Sequence, residues 1–511
     1  MTETVRGGFM ILKQILKRRD MLSCLLCMDP PCSTACPAMD PGRALRSVWF
    51  DNEDAAALRL PEENVCSSCG APCERECVRP GQVPVRSLMS AMIGEVRPQA
   101  EVALPETESP LACDICGIPL ENPFLLSSSV VASTYDMCAR AFEAGWAGAC
   151  FKTICSFEIH EASPRFSAIT GDNGSIIGFK NIEQLSDHSV AENMEIFRKL
   201  KKKYPTKFIL ASIMGQNEAE WEELARLCEE NGADAVELNF SCPNMQEDGL
   251  GSDIGQIPEL VERFTRAAKR GTKIPVLAKL TPNVAEMSSA AEAALRGGAD
   301  GIAAINTIKS IIGVNPYTLV SAPAVKGKSA VGGYSGNAVK PIALRFISEI
   351  GQNPAMKGKH LSGMGGIETW KDALEFILMG AGSIQVTTAV MQYGYRIIDD
   401  LKDGLNYYLS QMGIRSVKYL IGAGLDSISA TTDGLNRETI LFPQFHPDIC
   451  VGCGRCVVSC SDGGHQAIRF DNRKPKLDGS RCVGCHLCIL VCPTGAAAPS
   501  KKRIPKPQKS N

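Results

Sequence analysis

The feature that most constrains this 511-residue chain is its cysteines, because sixteen of the 23 lie in two groups, one near each end. The C-terminal group holds two runs of the form C-x2-C-x2-C-x3-C, beginning at Cys450 and at Cys482. In such runs three thiolates bind one iron–sulfur cube, and the fourth cysteine binds the cube of the other run. This spacing predicts two [4Fe–4S] sites, one with Cys450, Cys453, Cys456 and Cys492 and one with Cys482, Cys485, Cys488 and Cys460.

Zinc sites and disulfides are the alternatives for these cysteines. Structural zinc sites use pairs of CxxC rather than triple runs. Disulfides are rare in reducing compartments. The C-terminal runs therefore indicate that the protein transfers electrons.

Bulk properties narrow the setting of the protein. The net charge of −2 gives no global attraction to nucleic acid. No uninterrupted apolar stretch reaches the roughly 20 residues of a membrane span. The first twenty residues place basic side chains after apolar ones and contain no small-residue cleavage site, which does not fit a secretory signal. We expect a cytoplasmic protein that binds neither nucleic acid nor a membrane.

The N-terminal cysteines follow a different pattern, with Cys24, Cys27, Cys32 and Cys36 separated by thirty residues from Cys66, Cys69, Cys73 and Cys77. The intervening ALRSVWFDNEDAAALRL has the apolar spacing of amphipathic helices. We predict a helical cysteine-bound domain over residues 1–95, with a zinc-bound module as the alternative. Residues 96–112 are rich in Pro and Glu and predict a linker. The lone CxxC of Cys113 and Cys116 is interpreted as structural.

From residue 113 to 435 short apolar runs alternate with helical patterns, which predicts an α/β domain. Eight continuously apolar strands with eight crossovers favour a parallel (β/α)8 barrel. A doubly wound sheet is the alternative, but no G-x-G-x-x-G turn follows the first strand. The predicted strands are 124–129, 147–153, 208–214, 235–242, 275–281, 301–307, 360–366 and 383–390.

Polar residues at the ends of these strands are expected to form the functional site, because chemistry in such barrels collects at the C-terminal face. Gly365-Gly366 ends strand seven and Thr387-Thr388 ends strand eight, the usual position of a phosphate site. A phosphate-bearing cofactor beside iron–sulfur clusters suggests FMN, since a flavin can divide a hydride into single electrons.

The N-terminal motifs CLLCMDPPCSTACP and CGAPCERECVR resemble the helical double-cluster domain of the glutamate synthase small subunit and of dihydropyrimidine dehydrogenases. The resemblance implies that Cys24, Cys27, Cys32 and Cys77 bind one cube and that Cys36, Cys69 and Cys73 bind most of a second. The family's Gln or Glu ligand of the second cube would fall at Ala91, so this sequence departs from the pattern. Either Cys66 supplies the fourth ligand, or the second cube is labile or absent.

The barrel motifs ELNFSCPN, LAKLTPN, AAINT, GGYSGNAVKPIALRFI and GMGGIETW resemble the FMN domain of dihydropyrimidine dehydrogenases, and dihydroorotate dehydrogenases share the fold. The similarity continues into a ferredoxin-like domain at residues 436–498, before a basic tail at 499–511. It is strongest to the bacterial subunit type that carries FMN and iron–sulfur clusters. The resemblance implies an enzyme that interconverts uracil or thymine and the 5,6-dihydropyrimidine.

The resemblance also implies roles for single residues. Cys242 is the expected catalytic acid/base, protonating C5 of the pyrimidine while hydride reaches C6, and Lys279 is expected at the flavin N1–O2 edge. The expected substrate-binding residues are Asn181, Asn239, Ser241, Asn306 and Thr307. The other expected FMN-binding residues are Ser129, Lys152, Thr153, Gly336, Met364, Gly365, Gly366, Thr387 and Thr388.

The sequence contains no Rossmann fingerprint at the start of a βαβ unit, so neither FAD nor NAD(P) has an evident site. We expect electrons to come from an FAD- and NAD(P)-binding flavoprotein subunit or a ferredoxin-like donor, and we expect an oligomer. Two other hypotheses stay open: a dihydroorotate dehydrogenase-type enzyme, for which Asn244 after Cys242-Pro243 is typical, and an electron-transfer scaffold with an idle barrel.

Overall fold

The computed structural model describes residues 23–81, 83–95, 109–171, 175–245 and 250–506. The chain divides into two compact units. The first contains residues 26–78 and 85–428, and the second is formed mainly by residues 429–506, grouped with 23–25 and the described part of 79–84. Among the described residues, no helix combines the length and the apolar character needed to cross a bilayer.

The first unit is built on a closed barrel of eight parallel strands, which confirms the predicted fold class. A hairpin of β1 (Cys113–Ile115) and β2 (Ile118–Leu120) precedes the barrel. The barrel strands are β3 (Phe124–Leu126), β4 (Gly148–Cys150), β7 (Phe208–Ile213), β8 (Ala235–Asn239), β9 (Val276–Lys279), β10 (Gly301–Ala304), β13 (His360–Met364) and β14 (Ser383–Val386). Around the barrel the strand order is β10-β13-β14-β3-β4-β7-β8-β9.

All eight predicted strands exist, and most end two to four residues earlier than predicted. The apolar strand residues are almost entirely buried, as expected for a parallel sheet covered by helices. The polar residues that follow the strands leave the hydrogen-bonded ladder and form the mouth of the barrel. This is why apolar continuity located the strands correctly but overestimated their length.

Helices follow the strands, and their capping explains several boundaries. Ser189 begins one helix with a capping box to Glu192, and Thr369 begins another with a capping box to Asp372. The helices between and after the barrel strands are α6 (Tyr135–Ala144), α7 (Val190–Lys203), α8 (Glu218–Glu230), α9 (Ser252–Gly255), α10 (Pro258–Gly271), α11 (Ser288–Arg296), α12 (Lys340–Gly351), α13 (Trp370–Leu378), α14 (Thr388–Tyr393) and α15 (Ile397–Gln411). Short 3-10 helices lie at Val130–Ala132, Asn337–Val339, Pro354–Met356, Val417–Leu420, Leu425–Ser427 and Thr432–Gly434.

A second sheet of four antiparallel strands was not predicted from the sequence. Its order is β11-β12-β6-β5, and its strands are β5 (Phe166–Thr170), β6 (Ile176–Asn181), β11 (Ile308–Ser310) and β12 (Gly332–Ser335). These strands come from the insertions that follow β4 and β10. Because both insertions leave the carboxyl ends of barrel strands, the second sheet lies at the mouth and contributes to the site there.

Five N-terminal helices precede the barrel: α1 (Pro31–Ala35), α2 (Pro41–Trp49), α3 (Glu53–Leu58), α4 (Pro72–Arg75) and α5 (Val85–Glu95). Helix α2 packs on the barrel helices: the Tyr393 ring lies 5.2 Å from that of Phe50, and Arg46 pairs with Asp400 at 2.8 Å. The Arg396 guanidinium donates to the carbonyl oxygens of Leu26 (2.6 Å) and Cys27 (3.0 Å). Of the predicted linker, residues 96–108 lie outside the described residues, and Leu111 is buried in the barrel core.

The second unit carries two short helices and three antiparallel strand pairs. The helices are α16 (Arg455–Gly463) and α17 (Leu487–Leu490). The strand pairs are β15 (Thr439–Ile440) with β20 (Ile504–Pro505), β16 (Pro443–Phe445) with β19 (Ala497–Pro499), and β17 (Ile468–Asp471) with β18 (Lys474–Leu477). Cys460 and Cys488 lie in a small buried cluster with Ala467 and Ile468.

Candidate active site

A cavity opens at the carboxyl ends of the barrel strands. The predicted site residues that line it are Ser129, Lys152, Thr153, Asn181, Asn239, Cys242, Lys279, Asn306, Thr307, Gly336, Met364, Gly365, Gly366, Thr387 and Thr388.

Ser241 is the one predicted site residue that does not line the cavity. Its side chain is fully buried behind the wall. The Ser241 hydroxyl donates to Asn239 Oδ1 at 2.8 Å and accepts from Asn306 Nδ2 at 2.8 Å. Both amides do line the cavity, so Ser241 orients two site residues rather than presenting its own hydroxyl.

Cys242 follows β8 and is 6% exposed at the cavity wall. Burial raises the pKa of its thiol to about 11, and a backbone hydrogen bond from Asn244 together with Lys279 and Lys152 offsets only part of that effect. A free cysteine thiol, with a pKa of ~8.5, exchanges protons readily near neutral pH. In the folded protein the thiol keeps its proton, which suits it to donate one.

Lys279 ends β9, and its ammonium group lies 3.3 Å from the carboxylate of Glu237 on β8. Both side chains are buried, and Glu237 Oε2 also accepts from Gln385 Nε2 at 3.1 Å. Gln385 Oε1 is buried without a hydrogen-bond partner, although Gln385 lines the cavity. A buried acceptor left open at a cavity wall indicates a ligand donor at that point.

Lys152 follows β4, and its ammonium group is paired with two carboxylates at the mouth of the barrel, Glu183 and Glu161. Its Nζ donates to Glu183 Oε1 at 3.0 Å and lies 3.7 Å from Glu161. Asn244 binds the same segment, donating to Asn181 Oδ1 (3.1 Å) and to the carbonyl oxygen of Glu183 (2.7 Å). The mouth is therefore fixed by a continuous polar network.

A flavin cradle is indicated where the strand ends are lined by glycine and hydroxyl groups. Gly365 and Gly366 have φ values of 121° and 80°, which favour glycine. A Cβ on Gly366 would lie 2.9 Å from the carbonyl oxygen of Gly336, so only glycine permits this close approach. Ser129 and Thr387 hydroxyls lie 3.2 Å apart on the same wall. Together with the open Gln385 acceptor and the buried Lys279 cation, this donor set fits FMN.

Sequence reasoning missed several lining residues. Glu183 and Asn244 were not assigned, although a Glu beside a cluster of strand-end polar residues is a recognisable signal. Phe166, Phe179 and Tyr334 reach the cavity from the second sheet, whose short strands leave only weak periodicity in the sequence. Residues 246–249, in the loop after Cys242, lie outside the described residues.

The C-terminal cysteines surround two cavities of the second unit, in the exchanged sets that the spacing predicts. Cys450, Cys453, Cys456 and Cys492 line one, and Cys460, Cys482, Cys485 and Cys488 line the other. Backbone N–H groups point at the sulfurs: Ala467 N lies 3.3 Å from Cys460 Sγ and Ala497 N lies 3.4 Å from Cys492 Sγ. Such donors stabilise thiolates and the sulfur ligands of a cluster.

None of the 23 cysteines forms a disulfide. In the N-terminal helices, Cys32 lies within α1 and Cys36 caps its end, while Cys73 lies in α4 and Cys77 follows it. Cys27 is tied to the barrel through its carbonyl oxygen and Arg396. Helices α1 and α4 pack together, so cysteines from both sequence groups meet in one small region.

Comparison with known proteins finds a matching family for the barrel and another for the C-terminal cysteine-rich region. The dihydroorotate dehydrogenase family matches residues 110–409, and the 4Fe-4S dicluster domain matches residues 444–498. The NAD-dependent dihydropyrimidine dehydrogenase subunit PreA of Escherichia coli K12 is 52% identical over 363 residues, covering 71% of this chain and 88% of that protein. The chloroplastic dihydropyrimidine dehydrogenase (NADP(+)) of Arabidopsis thaliana is 36% identical over 345 residues, covering 65% of this chain and 81% of that protein.

Dihydroorotate dehydrogenases are similar too. The catalytic subunit of dihydroorotate dehydrogenase B (NAD(+)) from Pyrococcus abyssi is 38% identical, covering 62% of this chain and 99% of that protein. The crystal structure of DHODH in complex with ferulenol from Eimeria tenella shares the fold, with a TM-score of 0.52 at 20% identity over 63% of this chain and 91% of that chain. The chain is therefore an oxidoreductase with flavin and iron–sulfur chemistry, and it belongs to the dihydroorotate dehydrogenase family, in the group that contains the dihydropyrimidine dehydrogenases.

Proposed function

We propose that this chain is the pyrimidine-reducing subunit of a dihydropyrimidine dehydrogenase, interconverting uracil or thymine and the 5,6-dihydropyrimidine. The observation that carries the proposal is the buried Cys242 thiol on the wall of a cavity that also presents three amides, Asn181, Asn239 and Asn306. A thiol that keeps its proton and amides that both donate and accept suit the reduction of a cyclic amide.

Cys242 supplies the proton of the reaction. FMN, held by Lys279 and by the glycines and threonines that follow β13 and β14, would supply the hydride chemistry at C6 of the pyrimidine ring. In the reducing direction the Cys242 S–H bond breaks and its proton goes to C5, so two electrons and two hydrogens are added across the C5=C6 bond. Because Lys279 and Lys152 both lower the thiol's pKa, they also stabilise the thiolate left behind. In the reverse direction the thiolate accepts the proton from C5.

The amides recognise the ring edge. Each carboxamide offers an acceptor oxygen and a donor N–H2 group, which match the alternating C=O and N–H groups of uracil. Asn239 is held by Thr153 at 2.8 Å and by Ser241, and Asn306 is held by Ser241. Fixing these side chains before substrate arrives reduces the entropy lost on binding.

The charge of the cavity favours a neutral pyrimidine over orotate. Orotate carries a carboxylate and would require an additional cation. Among the described lining residues the cations are Lys152 and Lys279, and each is already paired with a buried carboxylate, Glu183 and Glu237 respectively. A carboxylate substrate would compete with these partners, so we favour uracil and thymine.

Activity of two Cys242 variants tests the assignment. Cys242→Ala should retain flavin and lose nearly all viologen-driven uracil reduction, whereas Cys242→Ser should retain a trace. Cys138→Ala, in the buried core of α6, is the matched control and should remain active. A Cys242→Ala protein that reduced uracil at close to the original rate would exclude the proposed proton donor. Uracil, thymine, dihydroorotate and hydantoin, compared with the same dye donor, then identify the substrate.

The proposed cofactor content is one FMN, no FAD and three or four [4Fe–4S] clusters. The two C-terminal clusters would use the cysteine sets around the two cavities, and the first N-terminal cluster would use Cys24, Cys27, Cys32 and Cys77. Flavin release followed by chromatography, with iron and sulfide analysis of anaerobically purified protein, measures these numbers.

Electrons are proposed to come from a separate FAD- and NAD(P)-binding flavoprotein. The E. coli relative is itself named as a subunit of an NAD-dependent enzyme. The isolated chain should oxidise NADH and NADPH only negligibly, because stacking a nicotinamide on a flavin requires a dinucleotide site. Reduced methyl viologen should still drive uracil reduction through the clusters. Rapid NADH oxidation by the pure chain would refute the two-component arrangement.

A further inference from the structure

Four N-terminal cysteines, Cys36, Cys66, Cys69 and Cys73, form a compact thiol cluster. Cys66 is hydrogen-bonded to Cys69 and interacts electrostatically with Cys36, while Cys73 interacts with Cys36, Cys69 and Cys66. Three of these four thiols match positions that the resemblance assigned to a cube. The fourth, Cys66, is the candidate that the sequence offers in place of the ligand missing at Ala91.

Cys66 is buried in a segment whose neighbours are exposed. It is 6% exposed, whereas Val65 is 37% exposed and the following Ser67 and Ser68 are also exposed. A lone inward-facing cysteine could be a small apolar side chain filling a core. Here, however, the side chain faces other thiols, with a hydrogen bond to Cys69 and with Cys36 and Cys73 nearby. Clustered buried thiols are unfavourable as thiolates unless a cationic metal centre compensates their charge.

The backbone and the surrounding charges are arranged for an anionic centre. Arg86 donates from Nη1 to the carbonyl oxygen of Cys69 at 3.0 Å. Arg75 donates to the carbonyl oxygen of Gly70. Glu74 accepts from the Arg86 backbone N–H at 2.8 Å, which fixes the loop to α5. Two guanidinium groups thus hold the loop that carries Cys69, and they favour a cluster with four thiolate ligands.

We propose that Cys36, Cys66, Cys69 and Cys73 bind one [4Fe–4S] cluster, with Cys66 as its fourth thiolate. The N-terminal region then carries two all-cysteine clusters, and the chain as a whole carries four. Each thiol loses its proton when it binds iron, so assembly releases four protons per cluster and leaves the protein oxidation state unchanged. The proposal is independent of the pyrimidine chemistry, because metal content alone tests it.

The experiment compares cysteine-to-alanine variants of the full chain, purified anaerobically. Iron and acid-labile sulfide are measured per bound flavin. Cys66→Ala and Cys73→Ala should each lose about four iron atoms and four sulfides per chain, the content of one cube. Cys116→Ala is the matched control, since Cys116 lies in the turn between β1 and β2 and its thiol donates to the carbonyl oxygen of Asp300. It should retain all of its iron.

The double variant Cys66→Ala/Cys73→Ala keeps the test decisive if either single variant is unstable. If both cysteines serve one cluster, the double variant loses no more iron than each single variant, and flavin and the remaining clusters persist. A Cys66→Ala protein with full iron content, beside a Cys73→Ala protein that has lost about four iron atoms, would overturn the proposal. Additive losses in the double variant would also overturn it.

Discussion

The ammonium group of Lys279 and the carboxylate of Glu237 lie 3.3 Å apart on adjacent barrel strands, with side-chain exposures of 4% and 0%. Glu237 also accepts a hydrogen bond from Gln385, whose other amide atom lines the cavity without a partner. The pair therefore holds a buried cation at the cavity wall. A cation fixed at this wall suits the proposed flavin edge, because it is oriented before any charge develops there.

Glu237→Gln should destabilise the protein by about 3 kcal/mol, because it leaves the buried Lys279 charge without compensation. Bound flavin should fall at the same time. Urea unfolding of the variant measures the first effect and flavin absorbance the second. Glu223→Gln removes an exposed carboxylate paired with Arg226 and should cost no more than about 0.5 kcal/mol. Equal destabilisation by the two substitutions would show that burial of the Lys279 pair has no particular importance.

Ser241→Ala should weaken pyrimidine binding without changing the proton donor. The substitution removes the hydrogen bonds to Asn239 and Asn306, each worth about 1 kcal/mol. KM for uracil should therefore rise about tenfold or more, with a smaller change in kcat. Ser348→Ala is the matched control, because that buried hydroxyl binds only Arg345 O within its own helix. A fall in kcat with unchanged KM would contradict a role in orienting the amides.

The sequence was sufficient to predict the barrel and most of the cavity, because buried parallel strands are continuous apolar runs. Polar residues that interrupt or end such runs were correctly expected to meet at one face, and Cys242, Asn306 and Thr387 all line the cavity. Glu237 was missed, although a carboxylate inside an apolar strand is costly to bury without a partner and therefore marks a candidate functional residue. Its partner lies 42 residues further along the chain, and only the alignment of β8 with β9 brings the two together.

Other features required tertiary structure. The second sheet is made of strands of three to six residues from two distant insertions, and short strands carry weak periodicity. Ser241 was expected to bind substrate, but the backbone after β8 turns its hydroxyl inward while Cys242 faces the cavity. Packing of α2 on the barrel depends on buried pairs such as Arg46 and Asp400, which are 354 residues apart.

The Arg46–Asp400 pair should contribute strongly to the attachment of α2. Asp400 is 1% exposed, and burial raises the pKa of its carboxyl group. Arg46→Met should lower the free energy of unfolding by about 3 kcal/mol, because the buried carboxylate loses its cation. Arg43→Met, on the same helix but paired with the more exposed Asp399, should cost less than about 1 kcal/mol. The double variant Arg46→Met/Asp400→Leu should recover much of the loss, and failure to recover it would contradict a charge-based effect.

Glu368 should make stability depend on pH. It lines the cavity, and its Oε1 is buried without a hydrogen-bond partner. Burial, and then the charge of Asp372, raises the pKa of its carboxyl group to about 7, although Lys340 lowers it in part. Below about pH 4.5 the carboxyl is protonated in both the folded and the unfolded chain, so it has no effect. As pH rises from 4.5 to 7 the unfolded chain ionises first, and the folded state loses up to about 3 kcal/mol.

Glu368→Gln removes this penalty and should therefore stabilise the protein at pH 8 but not at pH 5, where most of the penalty is absent. Thermal unfolding at both pH values measures the difference. Glu230→Gln is the matched control, because the Glu230 side chain is 53% exposed and its partner Arg226 stays charged at both pH values, so the two curves should shift equally. If Glu368→Gln shifted the unfolding temperature by the same amount at pH 5 and pH 8, its effect would come from packing, and the raised pKa would have no part in the stability of this wall.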